Sequence, residues 1–374
     1  MSNSQLLKKL AIASSLLVTA NLSYAEGVKR FSVSAGWLHV MPQGKANAFN
    51  TSTLVKNGHI STVGIISEEA FVNSIDPDFI STDPGTGATF VAKDILIDIR
   101  DAGALEVFVG DGQGNVRADE TGIARIEGLQ NWSSAGTGLE ADDVDTLGLT
   151  FNYYLNDNVS LQIIGGIPPE VDIKGKGEIY APLSGHATLT PGSFSDGLFP
   201  DGLGLKQAIP VTNLGNKAVA STARAWTPAI EAQYQFGKSG VNKFRPYVGA
   251  GIMYAYFNEI ELNSSIESDL IAAGHMIQNV LDNKAGAALD KKLSSADPSI
   301  KIKTTDAIAP IITLGATYDL TANWYGVASV SYAKLNNRVN IDVIDNNSGN
   351  RLIHSSTKID IDPLITYMGI GYRF

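Results

Sequence analysis

The chain of 374 residues has no cysteine. That excludes a disulfide scaffold and any thiolate-ligated metal site, and it is compatible with an oxidising compartment without establishing one. Charge is scarce: Asp, Glu, Lys and Arg make up 18% of the residues, against roughly 25% in soluble domains. The net charge of −10 speaks against a nucleic-acid binder. Long apolar runs are missing too. The longest, Leu10–Val18, is about half of what a membrane-spanning helix needs, so a helical membrane protein is excluded. Histidine is sparse: His39, His59, His186, His275 and His354 show no metal-ligand spacing. There is no G-x-S-x-G elbow. Asp111-Gly-Gln113-Gly-Asn115 has the flavour of a calcium loop, but Val116 and Gly122 stand where Gly and Glu are required, so a turn is expected.

What is present begins with an address. Lys8 and Lys9, the apolar stretch Leu10–Val18 and Ser23-Tyr24-Ala25 follow the grammar of a secretory signal peptide cleaved after Ala25. The domain division is therefore 1–25 as signal and 26–374 as the mature chain.

Beyond it, period-2 alternation recurs in eight segments. The last is the clearest. Phe374, Tyr372, Ile370, Met368 and Leu364 share one face, and Arg373, Gly371 and Gly369 the other. The rest are near Phe31–Met41, Leu147–Leu155, Val159–Ile167, Thr222–Phe236, Phe244–Phe257, Ile308–Leu320 and Trp324–Leu335; the last runs Ile359–Phe374. Such lengths suit tilted strands crossing a bilayer. Connections alternate: Asn156-Asp157-Asn158, Gly237 to Lys243 and Thr321-Ala322-Asn323 are short turns, whereas 42–146, 168–221, 258–307 and 336–358 are long. Short periplasmic turns and long external loops describe an antiparallel, eight-stranded transmembrane β-barrel, an all-β fold. Aromatics form two belts. Tyr153, Tyr234, Phe236, Phe244, Tyr318, Trp324, Tyr372 and Phe374 lie near the short turns; Trp37, Trp226, Tyr254, Tyr256 and Tyr332 lie near the other ends. The alternative these patterns leave is a soluble β-sandwich.

Lys243-Phe-Arg-Pro-Tyr-Val-Gly-Ala-Gly-Ile252 resembles the fifth-strand signature of the OmpW family of small outer-membrane barrels. Leu147–Tyr154, Asp157-Asn158 and Ile167-Pro168 resemble its second and third strands, and Ile361-Asp-Pro-Leu364 with Gly371–Phe374 its last. The resemblance covers the barrel segments and little of the loops. It implies a Gram-negative outer-membrane location and a hydrophobic channel for small apolar molecules. It also implies a blocked path to the periplasm and sideways release into the membrane. Two apolar side chains close the channel bottom in that family, and by alignment they fall on Ile164 and Ile308. The residue register agrees for Ile164, which shares the inward face with Ser160 and Gln162. Ile308 falls on the outward register with Leu314 and Tyr318; a bend at Pro310 would have to re-aim it, and otherwise Ile311 is the inward candidate. The competing reading is that these side chains only fill a narrow barrel.

Glu231, Arg245 and Arg373 lie on inward registers and are expected to form a polar network filling the lower lumen. Lys174-Gly-Lys176 is a basic pair at the outer rim, either solvated or touching lipopolysaccharide phosphate. In the first loop, Ile95, Ile97 and Ile99 alternate with Leu96, Asp98 and Arg100. Asp101-Ala-Gly103 then leads into Leu105, Val107 and Val109, which predicts a β-hairpin. Ser268–Asp282 in the third loop predicts an amphipathic helix capped by Ser268. Leu198, Phe199, Leu203 and Leu205 form an apolar cluster in the second. The expected function is passive uptake of small hydrophobic solutes by a monomer embedded in outer-membrane lipid and lipopolysaccharide, without cofactor or catalysis. The rivals are a surface-binding or adhesion protein anchored by its barrel and an enzyme with a site at the rim.

Overall fold

The structure is a computed structural model that describes residues 29–374. The expected signal peptide lies outside the described residues. Eight strands form the barrel: β1 (Phe31–Met41), β2 (Val144–Tyr154), β3 (Val159–Gly166), β4 (Ala229–Gln235), β5 (Phe244–Leu262), β6 (Ala307–Asp319), β7 (Trp324–Ala333) and β8 (Leu364–Arg373). Each pairs antiparallel with its neighbour in sequence, and β8 closes on β1 from Ser32–Arg373 to Met41–Leu364. The closed sheet leaves no edge in the lipid, which is why strands are tolerated there. No described helix is long and apolar enough to cross a membrane.

The alternation sets the two faces. Trp37, Leu147, Leu149, Ile163, Ile252, Ile312, Leu314, Met368 and Ile370 point outward and are exposed. Ser32, Ser34, Thr150, Asn152, Gln162, Gln233, Thr313, Thr317 and Ser331 are buried in the lumen. This apolar-out, polar-in order belongs to a lipid-facing barrel and inverts that of a soluble sandwich. Tyr234–Phe236, Trp324–Tyr372 and Tyr372–Phe374 ring pairs, 5.1 to 5.2 Å apart, mark the lower belt. On the upper side the indole N–H groups of Trp37 and Trp226 donate to Asp145 and Asn258.

Two inward tyrosines lie across glycines of the next strand. A Cβ on Gly315 would come 2.4 Å from Tyr247 Cζ, and one on Gly371 2.2 Å from Tyr325 Cζ. Only a missing side chain lets each ring lie flat against the wall.

The long connections fold into an outer domain. A sheet of Gly138–Ala141, Glu170–Lys176 and Ser221–Trp226 continues the wall onto upper β5. Two further sheets stand beyond it. One contains His59–Thr62, Ile123–Glu127, Glu178–Thr188 and Leu203–Asn213; the other Phe49–Thr53, Asn131–Ser134, Pro298–Thr304, Asn336–Asp345 and Arg351–Asp360. Two expected strands therefore divide. The fourth breaks at Thr227-Pro228 and the eighth at Ile361-Asp362-Pro363, because Pro lacks the ladder donor.

The hairpin expected in the first loop is overturned. Ala92–Asp101 is a helix (α1) and Ala104–Val109 another (α2). Ala92 and Leu96, then Leu105 and Val109, are buried at a spacing of four, while Val107 and Phe108 are exposed. The residues satisfied both periods, and packing selected the helical one. The turn between them stands, with Gly103 at φ +68°. The third-loop helix (α3) runs Ser264–Leu281, one turn longer than expected, with Asn263 rather than Ser268 as its cap. Leu198, Phe199, Leu203 and Leu205 pack into the outer core.

Candidate functional site

A cavity of about 160 Å³ runs from the barrel lumen into the outer domain. Its middle is walled by Ile164, Met253, Ile311, Leu335 and Ile365. Its roof comes from Phe49, Leu139, Ile179, Leu214 and, from α3, Ile266 and Leu270. Its floor is polar: Thr150, Gln162, Tyr247, Ser329, Ser331 and Tyr367. A space of roughly 150 Å³ is enough for a single aromatic ring.

Ile164 and Ile311 thus both line this cavity. Ile311 is 2% exposed. Ile308 does not join them; it is 73% exposed on the outer face. The β5–β6 register runs unbroken from Phe244–Tyr318 to Ala255–Ala307, so Pro310 introduces no bulge and re-aims nothing. Strict alternation decides in favour of Ile311.

Below the floor the lumen is filled. Arg245 donates to the carbonyls of Phe236, Asp157 and Gly237, tying two periplasmic turns together. Its guanidinium also lies 3.6 Å from the Asp157 carboxylate. Arg373 pairs with Asp319 and sits 4.3 Å over the Tyr325 ring, whose hydroxyl donates to Ser32. Gln235 donates to Thr317, which also accepts from Arg373. The expected single network of Glu231, Arg245 and Arg373 is corrected here. All three are buried, but Glu231 sits higher and touches neither arginine. Its Oε1 accepts from Thr313, and its Oε2 has no partner.

The cavity wall has two weak places. Between β3 and β4 the ladder stops at Ile164–Ala229 and resumes at Glu170–Arg224. Pro168, Pro169 and Pro228 occupy the interval and cannot donate. Pro169 and Thr227 there line the cavity. Higher up, β5 leaves β6 at Ala255–Ala307; its other edge stays paired with Ser221–Trp226, but this edge runs unladdered beside Pro298–Thr304, whose partner is on its far side. A groove of about 640 Å³ marks this seam. Phe257, Ile260, Leu262, Ile302 and Thr304 line groove and cavity alike.

The other sequence candidates stay apart. Asp111 accepts from the backbone of Gln113 and Asn115 and from the Asn115 amide, as a turn does; these bonds hold its carboxyl below the usual range. His39 meets Asp145, His59 the Val280 carbonyl, His275 Ser294 and His354 Asp342, while His186 packs edge-on to Phe79. Among the described residues no group of three or more His, Asp or Glu is placed to hold a metal. Lys174 pairs with Asp142 at 2.6 Å. The seam escaped sequence reading, because it is built from loop residues far apart in the chain.

No family model matches the chain. Outer membrane protein W of Escherichia coli strain K12 is 22% identical over 261 residues, 69% of this chain and 87% of the relative. Outer membrane protein W of Vibrio cholerae is 22% identical over 228 residues, 61% of this chain and 73% of the relative. Among solved structures, the outer membrane protein OprG from Pseudomonas aeruginosa aligns with a TM-score of 0.46 at 14% identity, covering 93% of this chain and 97% of that one. With its closed lipid-facing sheet, the chain is an eight-stranded β-barrel of the Gram-negative outer membrane. Within that class its sequence is similar to outer membrane protein W.

Proposed function

We propose that this protein admits small hydrophobic molecules passively through the outer membrane. The supporting observation is the apolar cavity that joins outer domain and lumen above a filled floor. A polar lipopolysaccharide layer excludes apolar solutes; a cavity walled by apolar side chains offers them a path of low transfer cost. The seam beside upper β5 serves as the way in. The proline-lined interruption between β3 and β4 serves as the way out into the bilayer, since Arg245 and Arg373 occupy the downward path. Ile164 and Ile311 form the constriction between them. No covalent chemistry is needed.

The test is uptake of toluene by cells with intact lipopolysaccharide carrying the full-length protein. Ile164→Asp should lower the rate at least tenfold, because a charge in the constriction must be desolvated by each passing solute. Unchanged uptake by a folded variant would refute the constriction. Equal uptake with and without the protein would refute the channel.

One observation favours a second role at the surface. Phe108 and Phe194 stack at 4.7 Å, exposed beside Val107 on the outer domain. Exposed apolar clusters of this kind mark contact surfaces. Lost surface binding with uptake intact after removal of residues 86–130 would support that role.

A further inference from the structure

The floor of the cavity has a hydrogen-bond polarity. Thr313 Oγ1 donates to Glu231 Oε1 at 2.6 Å and lies 2.7 Å from Ser331 Oγ. A hydroxyl carries one proton. With Glu231 ionised, the Thr313 proton goes to its carboxylate and Ser331 donates its own to Thr313. Ser331 then meets the cavity with lone pairs only. On the opposite wall, Gln233 Nε2 donates to Gln162 Oε1 at 2.6 Å. The Gln162 amide N–H groups are left free to donate into the cavity. Both Ser331 and Gln162 line the cavity. Deeper in the floor, Ser34 bridges two further hydroxyls, lying 2.6 Å from Thr150 Oγ1 and 2.7 Å from the Tyr367 hydroxyl.

The floor thus presents an acceptor at Ser331 and a donor at Gln162 beneath an otherwise apolar space. A hydrocarbon leaves both unanswered. A carboxylate answers only the donor and brings a charge into an apolar cavity. A hydroxyl answers both. We infer that the preferred guest is an alcohol with an apolar body of about one ring, a simple phenol, with its hydroxyl toward the floor, where Ser331 accepts and Gln162 donates. This rests on the channel reading above and narrows its substrate class. Ser331 and Gln162 are its specificity-determining residues, and Glu231, through Thr313, is the positioning residue that fixes Ser331 as an acceptor.

The experiment is equilibrium binding of p-cresol and toluene to the full-length protein in lipid nanodiscs, followed by NMR, with empty nanodiscs as reference. After correction for lipid partitioning, p-cresol should bind about fivefold more tightly, the worth of one net hydrogen bond. Ser331→Ala should lower p-cresol binding by about that factor and leave toluene unchanged. Thr313→Val frees the Ser331 proton, so acetophenone, an acceptor only, should gain affinity over its wild-type value. Heat-modifiable gel mobility verifies each fold, and Gln162→Leu provides an independent variant. Equal wild-type affinities for p-cresol and toluene, or equal losses for both in Ser331→Ala, would overturn the phenol site while leaving the channel standing. Binding of neither would overturn the cavity as a guest site and the channel reading with it.

Discussion

At the scale of single residues, the lumen depends on missing atoms as much as on present ones. Tyr247 and Tyr325 fill the barrel because Gly315 and Gly371 carry no Cβ. Gly371→Ala would place a methyl 2.2 Å from Tyr325 Cζ, and overpacking of this kind costs about 1–3 kcal/mol. Tyr325 would move off Arg373 and loosen the floor. Urea unfolding of the barrel in lipid vesicles should show the loss; an unchanged midpoint would mean that the ring relaxes freely. Charge acts at this scale as well. Glu68 faces Glu106 in the outer domain, and burial followed by the Glu106 contact raises its pKa. A raised carboxyl pKa means that folding is favoured by the protonated form and weakened as pH rises through it. Glu68→Gln should therefore stabilise the outer domain at neutral pH and flatten this part of its pH dependence, as thermal melts at pH 5 and 8 would reveal.

At the scale of elements, the seam is a contact without a ladder. Thr304 Oγ1 donates to the Phe257 carbonyl at 3.3 Å, so the two positions face each other across the seam. The natural chain has no cysteine, so Phe257→Cys with Thr304→Cys gives a clean lock. Oxidation should stop toluene uptake and reductant should restore it. Uptake by the fully cross-linked protein would remove the seam from the path. The turn after Asn336–Asp345 supplies a pH-sensitive element. Asp345 accepts from Ser348 and from the backbone amides of Asp297 and Asn347, which hold its pKa below the usual carboxylate range. Its contribution is present above the unfolded pKa, near 4, and is lost as pH falls through the folded value. Melts of the wild type should decline below about pH 4, and Asp345→Asn should remove that part of the decline.

At the scale of the whole molecule, barrel and outer domain share one buried cluster. It runs from Ala309 and Ile311 in the wall to Ile266 and Ile277 of α3. The barrel is also held by its closed ladder, which the outer domain lacks. Ile277→Ala should cost about 2–5 kcal/mol and lower the melting of the outer domain. The gel shift of the folded barrel should persist. Loss of both together would show that the barrel needs its cap.

The strands were legible in the sequence because lipid enforces alternation on every barrel strand. Phe31–Met41 was read to the residue, and the inward places of Ile164, Ile311, Glu231, Arg245 and Arg373 followed from parity alone. Parity likewise placed Ile308 outside, against the family alignment. Contacts among inward residues did not follow, since parity is silent on depth along the barrel: Glu231 lies too high to meet either arginine. The outer domain was least legible. In Ala92–Val109 apolar residues fit two periods at once, and only packing against Phe71, Leu198 and Phe199 chose the helices. Sequence by itself determined a membrane barrel, its faces and its topology, because those depend on local order and on a uniform solvent. Tertiary structure decided the cavity, its roof, its seam and the direction of its hydrogen bonds, because those arise where residues distant in the chain meet.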